Sequence, residues 1–412
     1  MDPLLEEGIK KIEWARCHMG VMKEIRKHLL ASGTLKGVRI AMALHTEAKT
    51  GVLAIMLKEA GAKVALTSCN PLSTDDSVAL ALNKKYGVTN YAKKGQTTQE
   101  YYKAMNKVLD IKPQILIDDG ADLVSIVLTK RKELIKGIIG SNEETTTGVV
   151  RLRQMEKEGV LKFPVVNVNG AFMKHLFDNR YGTGQSTIDG ILTATNITIA
   201  GKTFVIAGYS WCGVGIALRA KGLGARVIIT ELDPIKAIEA HFDGFQVLPM
   251  DEAAKLADII VTATGDIDVV VGRHMDTLKD GCMLANSGHF DVEINKDDLR
   301  KRAKTVRNLR YGVDEYLMKD GRRIYLLGDG RLVNLAVGQG HPVEIMDLSF
   351  AMQMLGVEYL LNNRKVLKNK VYDIPYDVDT RVAEIKLRCL GTTIDIPTPE
   401  QLKYMCSWRT GT

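Results

Sequence analysis

Short apolar runs rich in β-branched residues alternate with amphipathic stretches along most of this chain. The alternation predicts β–α–β units, in which parallel strands form a sheet and helices cover its faces. In the first half, the pattern predicts strands at Val38–Ala43, Val64–Thr67, Gln114–Ile117, Ile138–Ile139 and Val165–Val168. Helices are predicted between them, for example over Val52–Glu59 and Leu123–Ile135.

A second alternation begins at Gly201. Its predicted strands are Thr203–Ala207, Arg226–Thr230, Gln246–Leu248, Asp258–Val261, Cys282–Ala285 and Ile324–Leu327. Val343–Asn362 reads as one long helix, followed by a more irregular tail. We therefore expect an α/β protein with two doubly wound, Rossmann-like domains and a small C-terminal helical extension.

The expected boundaries follow from this order of elements. Residues 1–182, completed by 343–390, form a substrate-binding domain; residues 183–342 form a dinucleotide-binding domain; residues 391–412 form a tail.

Polar residues cluster where the first five predicted strands end. They are His45, Ser68, Cys69, Asn70, Asp118, Asp119, Asn142, Glu143, Glu144, Asn167 and Asn169. Ligands of doubly wound sheets bind outside the carboxyl ends of the strands. The sequence therefore predicts a polar ligand site at this edge of the first domain.

The composition narrows the class of protein. The 412 residues are 45% apolar and 25% charged, which is typical of a globular protein with two or three cores. The six cysteines form no CxxC pair and no cluster with histidine, so we expect neither a disulfide framework nor a metal site. No signal peptide and no apolar run of about 20 residues is seen, so we expect a cytoplasmic protein without membrane contact.

The net charge of +7 raises the question of nucleic acid binding. The densest basic stretch runs over Arg300–Arg310, beside Asp297 and Asp298, without interleaved aromatic residues. A solvated helix and loop face explains this stretch better than a nucleic-acid interface.

The start of the second domain carries a dinucleotide signature. After strand Thr203–Ala207 come Gly208, Ser210 and Gly213, then a helix, then strand Arg226–Thr230 ending at Glu231. This order predicts a dinucleotide whose pyrophosphate binds at the helix N-terminus and whose ribose hydroxyls bind Glu231. A carboxylate at that position favours NAD over NADP. Ser210 replaces the usual middle glycine, and its side chain is expected to fit while weakening binding.

Four longer motifs identify a resemblance. Asn142–Gly148, Phe177–Gly182, Gly288–Ile294 and Gly328–Leu335 resemble S-adenosylhomocysteine hydrolases, and the likeness covers nearly the whole chain. The compact form resembles the archaeal and thermophile branch of the family. The resemblance implies reversible cleavage of a nucleosyl-homocysteine thioether, by NAD-dependent oxidation at C3′, elimination, water addition and reduction.

The resemblance also implies the catalytic groups. Lys174 and Asp178 would lie at the ribose hydroxyls, with Lys174 as the base and Glu144 tuning its charge. Asp119 and His45 would serve as acid and base near C4′ and C5′. Which of Lys174, Asp119 and His45 takes the C4′ proton stays open. Taken singly, most of these residues could equally be solvated surface groups or helix caps.

Further positions follow from the same likeness. The implied substrate-binding residues are Glu47, Lys49, Thr50, His289 and His341. The implied cofactor-binding residues are Thr145, Thr146, Thr147, Asn179, Gly208, Ser210, Gly213, Glu231, Thr264, Gly265, Asn286 and Asn334.

One departure concerns the base of the nucleoside. Relatives commonly read HMTVET where this chain has His45-Thr46-Glu47-Ala48-Lys49-Thr50, so Lys49 replaces a glutamate that accepts from the adenine amino group. A lysine only donates, and could pair with the 6-keto oxygen of hypoxanthine. S-adenosylhomocysteine is the expected substrate and S-inosylhomocysteine the alternative. In a second interpretation, Lys49 reaches Glu47 or ring nitrogens and adenine is still accepted.

Other departures are Ala121 in place of glycine, Gly170 in place of aspartate, and the absence of the Lys-Pro-Asp-His-Tyr-Arg-Tyr tail common in the family. In relatives that tail reaches a neighbouring subunit's NAD site, so Lys403, Tyr404 or Arg409 are candidates to replace it. The resemblance implies a homotetramer, with a dimer possible.

Two other functions compete with this one. A plain NAD dehydrogenase would need an arginine and a histidine–carboxylate pair for its substrate, and gives no role to Lys174 and Asp178. A non-catalytic paralogue that binds NAD or nucleoside is favoured only by Ser210 and Gly170.

Overall fold

A computed structural model of the protein describes residues 2–409, and within this range two large sheets each carry helices on both faces. The first sheet contains β1 (Arg39–Ala43), β2 (Lys63–Thr67), β3 (Thr89–Asn90), β4 (Ile115–Asp118), β5 (Gly140–Glu143), β6 (Val165–Asn167) and β15 (Val371–Asp373). The second contains β7 (Thr203–Ala207), β8 (Arg226–Thr230), β9 (Gln246–Val247), β10 (Ile259–Thr262), β11 (Cys282–Asn286), β12 (Ala303–Arg310), β13 (Val313–Met318) and β14 (Arg323–Leu327).

Both sheets are doubly wound. The strand order is β3-β2-β1-β4-β5-β6-β15 in the first sheet and β9-β8-β7-β10-β11-β14-β13-β12 in the second. All pairs in the first sheet are parallel, and only β12, β13 and β14 pair antiparallel in the second. In each sheet the order reverses beside its first strand, which opens a crevice at the carboxyl edge. The predicted fold class is confirmed.

The helices connect and cover these strands. The α-helices are α1 (Pro3–His18), α2 (Gly20–Ser32), α3 (Ala48–Glu59), α4 (Asp76–Ala81), α5 (Thr98–Leu109), α6 (Asp122–Thr129), α7 (Thr146–Lys157), α8 (Phe172–Lys174), α9 (Thr183–Thr195), α10 (Trp211–Gly222), α11 (Pro234–Phe242), α12 (Met250–Leu256), α13 (Gly272–Met275), α14 (Lys296–Arg302), α15 (Val333–Ala336), α16 (Val343–Asn363), α17 (Tyr376–Cys389) and α18 (Pro399–Met405). Leu82–Tyr86 and His175–Gly182 are π-helical, and Lys132–Gly137, Val168–Gly170 and Gly328–Gly330 form 3₁₀ turns.

Each sheet separates two apolar cores. Along β1, Ile40 and Met42 face the core beneath α3 and α16, whereas Ala41 and Ala43 face the core of α5 and α6. Strands buried on both faces are expected to be apolar without alternation, as these are. Because both faces are covered, polar groups collect at the strand ends rather than on the strands.

The chain returns to the first sheet near its C-terminus. Helix α16 packs against α2, α3 and β5, and β15 pairs in parallel with β6. These contacts are those expected if residues 343–390 complete the first domain. After α17 the chain has no regular structure until α18, which has no buried residue.

Two predictions from the pattern were wrong. The strand expected at Ile138–Ile139 begins two residues later, at Gly140, because a buried strand of small and polar residues lacks an apolar signal. The helix expected over Leu123–Ile135 ends at Thr129 and is followed by a 3₁₀ turn.

The basic stretch Arg300–Arg310 was only partly interpreted correctly. It is solvated as expected, but from Ala303 to Arg310 it is β12, an edge strand, rather than helix and loop. Strands β3, β13 and β15 were also missed; β3 and β15 are too short to show a pattern. Within residues 2–409, no helix is both long and apolar enough to cross a bilayer.

The backbones of the two domains approach each other closely at one point. The carbonyl of Arg180 lies so near Gly215 of α10 that a Cβ there would overlap it. We therefore expect Gly215→Ala to lower the free energy of unfolding by about 3 kcal/mol, because it forces this contact apart. Gly222→Ala, in the same helix with open space around it, should instead be neutral or stabilising by about 0.5 kcal/mol. Denaturant unfolding of both variants checks this, and equal stabilities would contradict it.

Candidate active site

A cavity lies where the carboxyl edge of the first sheet faces the second domain. The residues around it are Leu44, His45, Glu47, Lys49, Thr50, Asp119, Glu144, Thr145, Lys174, Asp178, Asn179, Thr183, Cys212, Ser287, His289, Leu332, Asn334, Leu335, Gly340, His341, Met346 and Phe350. All ten residues predicted to be catalytic or substrate-binding are in this set.

Lys174 lies at the centre of one polar network. Its Nζ donates to Asn179 Oδ1 (2.9 Å), Asp178 Oδ1 (3.1 Å) and Asn169 Oδ1 (3.2 Å), and lies 3.5 Å from Glu144 Oε1. The π-helix that begins at the next residue makes this possible, since its wider turn brings both the fourth and the fifth following residue beside Lys174. The motif Lys174-x3-Asp178-Asn179 is thus one cluster.

The charged groups of this network are buried, and their pKa values shift in different directions. Burial disfavours the Lys174 ammonium, but Asp178 and Glu144 outweigh burial and raise the lysine pKa. For Asp178, burial is outweighed by Lys174 and His341, so its pKa is lowered. Burial raises the pKa of Glu144 to about 8, although Lys174 opposes the shift. At neutral pH Lys174 and Asp178 are therefore an ion pair, and Glu144 is the weaker of the two acidic partners of the lysine.

Two members of this network were missed from the sequence. Ser349 Oγ donates to Asp178 Oδ2 (2.6 Å), and Gln353 Nε2 donates to Glu144 Oε2. Both are fully buried on α16, among mostly apolar neighbours on that helix. Polar residues one turn apart in such a helix were the available signal, because buried polar groups need partners.

A second cluster joins His45, Asp119 and His289. His45 Nε2 lies 3.3 Å from Asp119 Oδ2, and His289 Nδ1 lies 3.5 Å from Asp119 Oδ1. Ser73 Oγ (2.7 Å) and Cys69 Sγ (3.3 Å) contact His45 Nδ1. Burial lowers the pKa of His45 to about 4, against the pull of Asp119, so its imidazole is neutral at pH 7.

A sharp turn after β4 presents Asp119 to both histidines. Gly120 (φ +103°) and Ala121 (φ +63°) have left-handed backbones, and their amides donate to Glu143 Oε1 (2.9 Å) and Oε2 (3.0 Å). A Cβ on Gly120 would lie 2.5 Å from His289 Nε2, so only glycine lets the second domain approach here. Ala121 adopts the conformation for which a glycine was expected.

The end of the cavity near α3 carries the residues expected to contact the base. Glu47 caps α3: its carboxylate accepts from the amides of Lys49 and Thr50, at 3.0 Å each. Lys49 Nζ is 2.7 Å from Glu47 Oε2 and donates to the carbonyl of Gln339 (2.8 Å). Lys49 thus reaches Glu47, as in the second of the two interpretations, and it also ties the first domain to the segment before His341.

His341 lies between this end and the Lys174 network. Its Nδ1 is 3.5 Å from Asp178 Oδ1, and its Nε2 contacts Thr183 Oγ1 at 3.2 Å. Gly182 leaves space for the ring, since a Cβ there would be 2.9 Å from His341 Cγ.

The glycine turn of the second domain fits a dinucleotide. A Cβ on Gly208 (φ +97°) would be 2.9 Å from the carbonyl of Ala263, and one on Gly213 would overlap the carbonyl of Gly208. Ser210 has an ordinary backbone (φ −73°), precedes the first residue of α10, and makes no capping bond with its side chain. The amides at the start of α10 therefore remain available to an anion, and serine adds no backbone strain.

Acidic residues organise the turns around this cradle. Glu231 accepts from the amides of Tyr209 (2.6 Å) and Leu232 (2.7 Å), which links the ends of β7 and β8. Buried Glu293, which the sequence analysis did not single out, accepts from the amides of Thr264 (3.0 Å) and Gly265 (2.9 Å). A Cβ on Gly265 would stand 3.6 Å from Thr147 Oγ1 of the first domain.

The remaining predicted cofactor residues divide into two groups. Thr145, Asn179 and Asn334 line the cavity, and Thr146 binds Asn169 beside it (2.9 Å). Buried Asn334 Oδ1 has no hydrogen-bond partner within residues 2–409, as expected of an atom that meets a ligand amide. Asn286 instead uses its side-chain amide to hold the loop that carries His289. Its Oδ1 accepts from Gly288 N (2.7 Å), and its Nδ2 donates to Phe290 O (2.9 Å).

Comparison with known proteins gives matches over nearly the whole chain. Family models described as S-adenosyl-L-homocysteine hydrolase and as the NAD binding domain of S-adenosyl-L-homocysteine hydrolase match residues 3–134 and 179–340. The chain is 55% identical to an adenosylhomocysteinase of Thermoplasma acidophilum, over 98% of this chain and 99% of that one. The chain belongs to the S-adenosyl-L-homocysteine hydrolase family. It is an enzyme of that family, with NAD as its cofactor.

Relatives of equal similarity carry different names. The chain is also 55% identical to an S-inosyl-L-homocysteine hydrolase of Methanocaldococcus jannaschii, over 99% of this chain and 98% of that one. Among solved structures, a dipicolinate synthase subunit from Bacillus halodurans matches with a TM-score of 0.50 at 13% identity, over 80% of this chain and 99% of that one. This last likeness shows the fold alone.

Buried Asp118, next to the site, should make stability depend on pH. Burial raises its pKa to about 7, against bonds from the amides of Val124 and Asp119. Since the unfolded carboxyl ionises near pH 4, its contribution is complete below that pH and is lost as pH rises through 7, by roughly 3–4 kcal/mol. Asp118→Asn should remove this fall between pH 4 and 7, whereas Asp395→Asn, in the exposed tail, should keep it. Parallel stability curves for wild type and Asp118→Asn would contradict this assignment.

Proposed function

We propose that this enzyme reversibly hydrolyses S-adenosyl-L-homocysteine to adenosine and L-homocysteine. The observation that carries the proposal is a single cavity that joins the Lys174 network to the His45–Asp119–His289 cluster. One group of proton donors and acceptors suits the ribose hydroxyls, and the other suits the C4′ and C5′ side of the same sugar. A plain dehydrogenase would use a histidine–carboxylate pair but gives no role to Lys174 and Asp178.

NAD supplies the reversible acceptance of a hydride when it is bound. The residues that would hold it are those of the glycine turn, Glu231 at the end of β8, and Asn334 with its free Oδ1. Thr145 and Asn179 would complete the pocket from the first domain. We expect the cofactor to be retained throughout a turnover, because the hydride taken in the first step is returned in the last.

Lys174 would take the proton of the 3′-hydroxyl. Its ammonium must first lose a proton, and in this structure Asp178 and Glu144 hold that proton in place. Ribose hydroxyls that bond to these two carboxyls would compete with Lys174 for them. The competition would lower the pKa of Lys174 toward the range in which a base is effective.

Asp119 and His45 would act on the other side of the sugar. The proton removed from C4′ can pass to the leaving thiolate, and a neutral imidazole can then accept a proton from the water that adds. His289, from the second domain, would complete this arrangement only when the domains are closed. Which group takes the C4′ proton is left open between Lys174, Asp119 and His45.

S-inosyl-L-homocysteine is the second candidate substrate, and Lys49 is the observation that favours it. Two of the three ammonium hydrogens are engaged by Glu47 and Gln339, and the third can donate to a base. Hypoxanthine could accept at its 6-keto oxygen; adenine could accept at a ring nitrogen while its amino group donates to Glu47. The pair Glu47–Lys49 is therefore compatible with both bases.

Thiol release from purified enzyme tests the function. We expect free homocysteine from S-adenosyl-L-homocysteine, with NAD still bound afterwards and no NADH in solution. Release of NADH would favour a plain dehydrogenase. No thiol from either substrate, even with NAD added, would favour the non-catalytic paralogue and make Ser210→Gly the first reversion to examine.

Lys49→Met tests the recognition of the base. Loss of a charged donor to a keto oxygen should lower kcat/KM for the inosyl substrate about tenfold more than for the adenosyl substrate. Lys58→Met is the matched control, because Lys58 lies on the same helix but bonds the carbonyl of Tyr86. Equal losses for the two substrates would show that Lys49 does not distinguish the bases.

We also propose that the enzyme is a cytoplasmic homotetramer. All six cysteines are free, as suits a reducing compartment. Large apolar side chains are exposed just before α11 (Leu232, 91%), at its end (Phe242, 83%) and in the tail (Trp408, 89%). Such surface is typical of contacts between subunits. Sedimentation of the purified protein would give the number of subunits.

A further inference from the structure

Helix α16 contacts both acidic partners of Lys174 on the side away from the lysine. Asp178 Oδ1 lies 3.1 Å from Lys174 Nζ, while its Oδ2 accepts from Ser349 Oγ (2.6 Å). Glu144 follows the same pattern: its Oε1 lies 3.5 Å from Lys174 Nζ, and its Oε2 accepts from Gln353 Nε2. Since Ser349 and Gln353 are four residues apart, they lie on one face of the helix. In each acid, one oxygen faces the lysine and the other is held by α16.

The position of Gln353 is fixed by a close approach of α16 to β5. The backbone carbonyl of Gln353 accepts from Asn142 Nδ2 (2.9 Å), and Asn142 precedes Glu144 by two residues. A Cβ on Gly356 would lie 2.7 Å from the same nitrogen. A larger residue at position 356 would therefore push the helix away from the strand. The glycine lets the Gln353 side chain reach Glu144.

The Gln353 amide contacts one polar group only among residues 2–409. Its side chain is fully buried, its hydrogen bond goes to Glu144, and its own Oε1 has no partner in this range. A buried amide with one partner is less favourable for stability than an apolar side chain of the same shape. Glu144 lines the cavity whereas Gln353 does not, so any effect of Gln353 on the reaction acts through Glu144.

The amide bond affects both the orientation and the charge of Glu144. Because Oε2 is engaged, Oε1 is left facing Lys174, and it has no hydrogen-bond partner within residues 2–409. Burial raises the pKa of Glu144, and the charges of Asp178 and Asp119 add to the rise; Lys174 and the Gln353 amide oppose it. A donor to a carboxylate favours the ionised form of that group.

We propose that Gln353 is a positioning residue for the oxidation of the ribose: it holds Glu144 with Oε1 toward Lys174 and the cavity, and it favours the ionised form of that carboxyl. An ionised Glu144 can accept a hydrogen bond from a ribose hydroxyl, which then competes with Lys174 for the carboxylate. A protonated or rotated Glu144 would offer a poorer acceptor. The role in the reaction rests on the proposed function; the effect of Gln353 on Glu144 does not.

Infrared titration of the NAD-loaded enzyme, without substrate, tests the effect on Glu144. The carbonyl band of the protonated acid is assigned by its absence from Glu144→Gln. Gln353→Met keeps a similar side-chain volume but removes the donor. We expect its band to titrate about one to two pH units higher than in the wild type, which corresponds to one hydrogen bond to a charged group. Equal titration of the wild type and Gln353→Met would overturn the proposal.

Two further variants make this measurement independent of one substitution. Gln353→Glu places a second carboxyl beside Glu144, and we expect it also to raise the pH at which Glu144 ionises. Glu358→Gln is the matched control, because Glu358 lies on the same helix but bonds His28 and Arg381. It should leave the Glu144 band unchanged. Thermal unfolding of each variant would show that it is folded.

The pH profile of thiol release tests the role in the reaction. We expect Gln353→Met to lower kcat about 10- to 100-fold at low pH, with KM nearly unchanged because Gln353 does not line the cavity. The loss should shrink as pH rises, since Glu144 then ionises without the amide. An equal loss at every pH would show a structural role only and overturn the proposal. Absence of thiol release by the wild type would count against the proposed function, while the infrared titration would still decide the effect on Glu144.

Discussion

The buried ammonium of Lys174 is the interaction on which the site depends. An ion removed from water must be paired and hydrogen-bonded, and Lys174 has Asp178, Asn179 and Asn169 around it, with Glu144 at 3.5 Å. Those partners come from the edge of the first sheet and from one π-helical turn. Removing one partner would leave a charge buried without compensation, which is why the whole network must form together.

Close backbone approaches let the second domain complete this site. Gly120 admits His289, Gly265 faces Thr147, and Gly215 receives the carbonyl of Arg180. Each contact joins a residue of the first domain to one of the second, and those at Gly120 and Gly215 leave no room for a larger side chain. Catalytic groups on different domains can therefore lie within hydrogen-bond distance while each is held by its own sheet.

Much of the fold could be predicted, for a physical reason. Strands buried on both faces are mostly apolar, and their apolar runs predicted β7 and β8 with the observed bounds. The helix α16 was predicted to within one residue. Strand β5 was misplaced because its residues, Gly140 to Glu143, are small or polar and are buried only through partners on other elements. Ser349 and Gln353 were missed because their burial, too, depends on partners from other elements.

The sequence by itself determined the family, the two doubly wound sheets, the glycine turn and the identity of most residues at the cavity. These follow from local patterns and from long motifs that chance does not produce. Only the tertiary structure decided how charge is shared between Lys174, Asp178 and Glu144, that Lys49 bonds Glu47 and Gln339, and that His45, Asp119 and His289 meet. Burial and distance set the energies of charged and polar groups, and both depend on elements that are remote in the chain.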